Sequence, residues 1–362
     1  MSASINGTTG ITFPDASVQA TAATGFGFKN RIINGACMID QRNAGASVTV
    51  VDTPIYTLDR WAGYGSNASS KFSIQQNAGS VTTPVGFNKY LGATSTSSYS
   101  VPSGESYFIR HIIEGLNAAD LGWGTANAST VTLSFWVRSS LTGTFGGSIQ
   151  NSAQNRSYPF SYTILSANTW EQKTVTIAGD TTGTWLTDNG VGIRLFFSLG
   201  AGSSVSGTAG SWAGASYVSA TGATSVVGTN GATFYITGVQ LEKGSTATSF
   251  DYRPYGTELA LCQRYFESYS SAIRVVGFYQ ESAYIYTPMQ FLVEKRATPT
   301  VTLPSAANYD IWAVGAPSAV SVPSTSTRVA LIQYTKTGLT NYYCYGIQMN
   351  PASGAISFSA EL

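Results

Sequence analysis

The 362-residue chain carries 19 Lys and Arg against 18 Asp and Glu, a formal net charge of +1, and only 10% of its residues are charged. A nucleic-acid or anionic-membrane binder needs a basic face that this balance does not supply, so both classes drop out. With 46 Ser, 43 Thr and 38 Gly beside 43% hydrophobic and 12% aromatic residues, the composition suits many short strands with polar outer faces, and the aromatic content excludes disorder.

The length allows one large β domain and a smaller one, each with its own core. Residues 1 to 28 are Gly, Ser, Thr and Ala with isolated Ile11, Phe13 and Val18, too few for a core. They are expected to form an attachment segment. The start shows neither a basic n-region nor an apolar stretch, and no run approaches the roughly 18 apolar residues of a membrane span. The product is therefore expected to stay where it is made unless other machinery exports it.

Residues 29 to 256 carry strand patterns. From Val131 to Val137 the odd positions are apolar while Thr132 and Ser134 are polar, the alternation of a half-buried strand. Further strands are predicted over Phe72 to Gln75, Tyr107 to Ile113, Lys173 to Ile177, Val191 to Leu199 and Thr233 to Leu241. Gly143, Gly146, Gly147, Asp188 to Gly190 and Gly200 to Gly214 read as turns between them. Short strands with Gly-rich turns and no helical period predict an all-β, antiparallel jelly-roll sandwich.

One helix is predicted after Pro254, capped by Thr257 with Glu258 in its first turn. Leu259, Cys262, Phe266 and Tyr269 fall at a and d spacings. Such a short seam either lines a symmetry axis between subunits joined elsewhere or packs on the chain's own sheet. Residues 257 to 362, this junction helix included, read as a smaller all-β domain with strands over Val275 to Phe278, Ala283 to Thr287, Gln290 to Val293, Thr300 to Leu303, Val329 to Tyr334, Tyr342 to Met349 and Ala355 to Ser359.

Chemistry is sparse. Cys37, Cys262 and Cys344 match neither a disulfide framework nor a zinc spacing and read as small buried hydrophobes. His111 is the only histidine, so any histidine-based triad rests on it, and it reads as a satisfied strand residue. Glu105 with Glu114, or Asp180 with Asp188, are the carboxylate pairs that neighbouring strands can bring together for glycoside cleavage, although a solvated strand end or turn explains each more readily. No phosphate loop, dinucleotide fingerprint, nucleophile elbow or zinc helix motif is found. No catalytic residue, cofactor or metal is expected.

Sugars present hydroxyls and an apolar face, so their sites combine aromatic platforms with amide, carboxylate or guanidinium groups. Two C-terminal stretches have that mixture, with Tyr309, Asp310 and Trp312 in the first and Tyr342, Tyr343 and Tyr345 in the second. Alternation puts Tyr343 and Tyr345 on one face and Tyr342 on the other, so some of these rings belong to a core. In the larger domain, Trp123 between two glycines and Trp212 in a Gly/Ser-rich loop are further exposed candidates.

The blocks Asn30-Arg31-Ile32-Ile33-Asn34-Gly35, Tyr56-Thr57-Leu58-Asp59-Arg60-Trp61, Ile112-Ile113-Glu114-Gly115-Leu116, Leu133-Ser134-Phe135-Trp136-Val137-Arg138-Ser139-Ser140, Thr169-Trp170-Glu171, Gly179-Asp180-Thr181-Thr182-Gly183-Thr184-Trp185, Gly231 to Gly244 and Cys262-Gln263-Arg264-Tyr265-Phe266 follow one another in a fixed order. Together they resemble the jelly-roll modules of tail-fibre and receptor-binding proteins of tailed bacteriophages, over roughly residues 29 to 268. Gly10-Ile11-Thr12-Phe13-Pro14-Asp15 is similar to a segment that precedes such modules.

The resemblance implies a non-enzymatic homotrimeric fibre of the virion, assembled in the host cytoplasm. Residues 1 to 28 would attach it to baseplate or tail proteins, the carbohydrate-binding-module-like jelly roll would form its body, and residues 257 to 362 would meet a glycan or other receptor on the bacterial surface. Related sandwiches hold a structural calcium through acidic residues near the first strand and in the last. Here the last-strand positions are Thr237 and Gly238, leaving Asp40 nearest. The competing readings are a polysaccharide-depolymerising tailspike and a structural baseplate or decoration subunit.

Overall fold

The computed structural model describes residues 28–269, 273–280, 283–349 and 354–362, with the short strands Ser4–Asn6, Gly10–Thr12 and Val18–Gln19 before them. The attachment role expected of residues 1 to 28 falls mostly outside the described residues.

Two six-stranded sheets face each other. One orders Glu171–Ile177, Val131–Ser139, Thr233–Lys243, Leu91–Ser95, Phe72–Gln76 and Val48–Val50; the other orders Ser157–Ile164, Gly143–Gln150, Val191–Ala201, Ser106–Glu114, Trp61–Gly65 and Ile55–Leu58. Every neighbouring pair within these sheets is antiparallel. Successive strands pass repeatedly from one sheet to the other, as in a jelly roll. Alternation works as expected on the inner faces: Val131, Leu133, Phe135 and Val137 are buried against Phe145, Phe160, Phe197 and Phe234. Thr132 and Ser134 are covered too, Thr132 Oγ1 donating to the Gly244 carbonyl at 2.8 Å.

Gly143, Gly146 and Gly147 do not make turns but lie in the strand Gly143–Gln150. A Cβ on Gly147 would stand 2.4 Å from the Phe160 ring and 2.3 Å from the Phe196 carbonyl oxygen, so that ring takes the space a side chain would need.

The helix, Tyr255–Gln263, starts behind Pro254, so Thr257 lies inside it and is not its cap. It also ends before the proposed seam does. Phe266 and Tyr269 belong to the strand Phe266–Tyr269, and Cys262 is buried with Tyr265, Ile33 and Ile39, with Leu259 packed alongside. Leu259 and Cys262 on the helix and Phe266 and Tyr269 on the strand therefore do not form the continuous helical seam expected for a symmetry axis, and Cys262 is turned to the chain's own core. Cys344 is likewise exposed and not buried as expected, because it faces outward from its strand, whereas Cys37 and Cys262 are buried.

Beyond the helix, Phe266–Tyr269, Ile356–Ser359 and Thr300–Thr302 form a small sheet, and a six-stranded sheet orders Tyr309–Ile311, Cys344–Met349, Arg274–Gln280, Tyr284–Gln290, Val329–Thr335 and Ala319–Thr325. The expected strand from Gln290 to Val293 stops at Gln290. A second core, separate from the first, gathers Tyr279, Ile285, Ile332, Tyr334, Ile347 and Phe358.

Charged groups join the two halves. Glu114 receives Arg264 Nε and Nη2 at 2.9 and 2.6 Å and the Tyr265 hydroxyl at 2.6 Å. Although burial alone would raise the Glu114 carboxyl, these donors hold it below the usual carboxylate range. Glu361 pairs with Arg42 at 2.6 Å and with Arg60, while Tyr56 donates to the Leu362 carbonyl. The chain's last residues thus return to the sandwich.

Asp59 lies buried under this network, and burial pushes its carboxyl up to about 7, a rise that the Arg42 guanidinium at 3.4 Å and the Gln41 N–H only partly offset and the charge of Glu361 adds to. A carboxyl with a folded pKa above its unfolded 3.8 binds its proton more tightly in the folded chain. Its contribution to stability is therefore fully present below that unfolded value and is lost as the pH rises through about 7. Asp59→Asn should remove this fall, so urea midpoints measured between pH 4 and pH 7 should decline less for the variant than for the parent. Parallel curves would show that Asp59 stays charged throughout.

Candidate functional site

The outer face of the C-terminal six-stranded sheet carries the most concentrated set of exposed rings. Strand alternation in Arg274–Gln280 points Tyr279 into the core and leaves Arg274, Val276 and Phe278 outside. The register sets Asp310, Gln348 and Arg274 side by side on three adjacent strands, giving a carboxylate, an amide and a guanidinium in one row. The next position along carries Trp312. Its backbone N–H donates to the Gly346 carbonyl at 3.0 Å, and its indole lies over Gly346, where a Cβ would stand 2.8 Å from the ring.

This glycine lets the indole rest flat on the strand. The ring keeps 50% of its surface exposed, and the Arg274 guanidinium carbon sits 5.7 Å from its centroid. Phe278, opposite Cys344, lies 6.5 Å from the Tyr342 ring, and Tyr342 and Tyr343 are each 63% exposed in the turn that leads into the strand. Aromatic faces beside a row of hydrogen-bonding heads are chemically suited to a ligand with both an apolar face and hydroxyls.

The expected residues divide. Asp310, Trp312 and Tyr342 come together on this outer face and Tyr343 is exposed beside Tyr342, whereas Tyr309 and Tyr345 point the other way. Tyr309 is buried against Tyr334, with rings 5.3 Å apart and its hydroxyl without a partner; burial pushes that hydroxyl's pKa up. Tyr345 packs against Tyr279, and its hydroxyl accepts the Thr340 N–H at 2.9 Å. Tyr343, expected on one face with Tyr345, lies before the strand, which begins at Cys344. Arg274, Gln348, Val276 and Phe278 were not among the expected residues. The alternation of Arg274, Val276 and Phe278 was the available signal, and the composition of the neighbouring stretches outweighed it.

Trp123 is corrected as an exposed platform, and Trp212 is half-buried against it. Trp123 is 7% exposed and meets Trp185 and Trp212 edge to face at 4.6 and 5.5 Å. The indole N–H groups of Trp123, Trp185 and Trp212 donate to the Ser129 carbonyl, the Asp180 carboxylate and the Ala178 carbonyl. Gly122 and Gly124, at φ of 62° and 85°, turn the backbone so that the Trp123 indole folds inward.

Neither carboxylate pair shares a cleft. Glu105, before the strand Ser106–Glu114, accepts the hydroxyls of Tyr99 and Tyr107, while Glu114 sits at the strand's far end with Arg264. Asp180 is held by Arg156 at 2.6 Å, and Asp188 accepts the Gly190 N–H. His111 is buried, with Nε2 3.0 Å from the Ile33 carbonyl and its ring against Trp61; burial, then the charge of Arg60, keeps its pKa far below the usual histidine value. Asp40 does not fit a calcium ligand set, since its carboxylate already accepts the backbone N–H groups of Arg42, Asn43 and Gly45.

A cleft beside the helix start holds about 170 Å³ between Phe87, Phe250, Tyr252 and Tyr255. Its carboxylates, Asp251 and Glu258, are engaged by the backbone N–H groups of Asn30 and Asn34. Among the described residues no helix is long and apolar enough to cross a membrane.

No family model matches the chain, and no curated protein matches it. Among solved structures it is similar to the enzymatically active domain of tailspike protein 4 of bacteriophage CBA120, at 13% identity over 59% of this chain and 21% of that one, with a TM-score of 0.30. A CBM4 carbohydrate-binding module is similar at 13% identity over 59% of this chain and 99% of the module, TM-score 0.31. So is a family 11 carbohydrate-binding module from Clostridium thermocellum, in complex with a β-1,3-1,4-mixed-linked tetrasaccharide, at 10% identity over 57% of this chain and 98% of the module, TM-score 0.27. The chain therefore spans about a fifth of the tailspike chain and nearly the whole of each module.

Proposed function

We propose that this chain is a non-enzymatic receptor-binding subunit that recognises a saccharide of a bacterial surface through the outer face of its C-terminal sheet. The observation that carries the reading is the Trp312 indole, laid flat on Gly346 with half its surface open and flanked by Asp310, Gln348 and Arg274. An open indole accepts the C–H face of a pyranose, and the flanking heads take its hydroxyls. The ordered blocks of residues 29 to 268 support a tail-fibre setting, a homotrimer joined to the phage tail through residues 1 to 28. A shallow open site is weak by itself, and three copies on one fibre multiply its effect through effective concentration.

The test uses the full chain. It should bind host-surface polysaccharide fragments, release no new reducing ends from them, and slow phage adsorption when added in excess. Light scattering coupled to size exclusion should give a mass near three times 38.1 kDa. Reducing ends that accumulate would turn the reading to a depolymerase. Adsorption unaffected by the protein, with no polysaccharide bound, would turn it to a structural subunit.

A further inference from the structure

The outer face of the second sandwich sheet holds two arginines that the glycan-binding face does not use. Register places Tyr56, Ala62, Arg110, Phe196 and Ser148 in one row across five strands, and Ile112, Arg194 and Gln150 in a neighbouring row. Arg110 and Arg194 are therefore diagonal neighbours on one face, a spacing within reach of long side chains. Both are half-buried, and among the described residues neither has a carboxylate within ion-pair distance. Among the described residues the pair's side-chain hydrogen bond runs from Arg194 Nη2 to the Ser152 carbonyl at a long 3.4 Å.

The Nε of each arginine is sealed from solvent without a partner, as is Oε1 of the fully buried Gln150 opposite Arg194. Glu361 acts on Tyr56 at this corner but is already bound by Arg42 and Arg60. Burial first, and then the charge of Arg110, lowers the Arg194 guanidinium pKa, with Tyr56 opposing.

Two like charges held together in a half-dry place, with donors unspent, are what an oxyanion between them relieves. Guanidinium groups match a carboxylate bidentately. Beside them on the same face, half-exposed Tyr64 stacks on Phe108 with ring centroids 5.1 Å apart, presenting an apolar plane next to Arg110.

We propose that Arg110 and Arg194 form an anion subsite for the carboxylate of an acidic saccharide, with Tyr64 beneath its ring. The identity of the carrier as a sugar rests on the glycan-binding reading; the demand for an anion rests on the arginines alone.

The experiment titrates the full chain with an oligogalacturonate, with the same oligomer after reduction of its carboxyl groups, and with sodium sulfate. Wild type should bind the oligogalacturonate about ten-fold or more tighter than the reduced oligomer, and Arg110→Gln/Arg194→Gln should lose that margin while binding the reduced oligomer as wild type does. The double variant should unfold at the same temperature or higher, since it removes a repulsion. Equal wild-type affinity for the two oligomers, or undiminished oligogalacturonate binding by the double variant, overturns the subsite. Thermal stabilisation by sulfate that equals stabilisation by the oligogalacturonate at equal charge overturns the sugar-acid assignment. Failure of the glycan reading itself shows separately, as no binding of the reduced oligomer and no effect of changing Trp312.

Discussion

Glu361→Ala is expected to destabilise the full chain by about 3 to 5 kcal/mol, the range for stranding one partner of a buried ion pair. Arg60 is only 1% exposed and sits at a φ of 72° in the tight turn between Ile55–Leu58 and Trp61–Gly65, so the guanidinium has no route to water without moving that turn. With Glu361 removed, Arg60 keeps one donation to the Ile112 carbonyl and the Tyr265 ring 3.5 Å away, neither of which neutralises its charge. Tyr265 itself hangs on Glu114, so strain at Arg60 passes directly to the other salt bridge between the halves.

Arg42, released from Glu361, can turn wholly to Asp59, and the raised Asp59 pKa should then fall toward the ordinary carboxylate range. Arg60→Met combined with Glu361→Leu should recover most of the loss, because the unpaired charge is then gone. Urea unfolding of the three proteins at pH 7 decides the matter. A cost under about 1 kcal/mol for Glu361→Ala would mean that the pair is screened like a surface pair and does not lock the halves together.

The same junction marks where sequence reasoning stops. Apolar-polar alternation over Val131 to Val137 made that strand legible, since period two is imposed locally by the pleat. The seam from Leu259 to Tyr269 kept a helical spacing, yet the helix ends at Gln263, where Arg264 and Tyr265 turn to Glu114 and Phe266–Tyr269 pairs with Ile356–Ser359. Those partners lie far off in the chain, and no local pattern announces them. Gly146 and Gly147 misled for a related reason: a strand glycine that makes room for Ser219, as Gly146 does, or for Phe160, as Gly147 does, looks like a turn until its neighbour is in place. At the candidate site, Trp312 and Asp310 were readable from composition. Arg274 and Gln348 reach them only through sheet register, and Tyr309 was miscast because the short strand Tyr309–Ile311, which turns it inward and Asp310 outward, was not foreseen.

Trp312→Ala is expected to weaken saccharide binding about 30-fold or more, the effect of removing a central aromatic anchor worth about 2 kcal/mol. Half of the indole already faces water and its main support is a glycine, so the loss of stability should be small beside the loss of binding. Gly346→Val tests the geometry without deleting the ring. A Cβ there would stand 2.8 Å from the indole, lifting it from the strand and tilting it away from the row of Asp310, Gln348 and Arg274. The valine variant should therefore lose affinity although every contacting side chain is still present, whereas Trp312→Phe, with a smaller flat ring in the same place, should keep part of it. Titration of the four proteins with a neutral oligosaccharide from the host surface reads all three effects. If Gly346→Val binds as tightly as the parent while Trp312→Ala does not, the ring acts from some other pose and the flat platform is wrong. If both variants bind as the parent does, the ligand lies elsewhere on the molecule, and the open indole is an apolar surface awaiting another subunit.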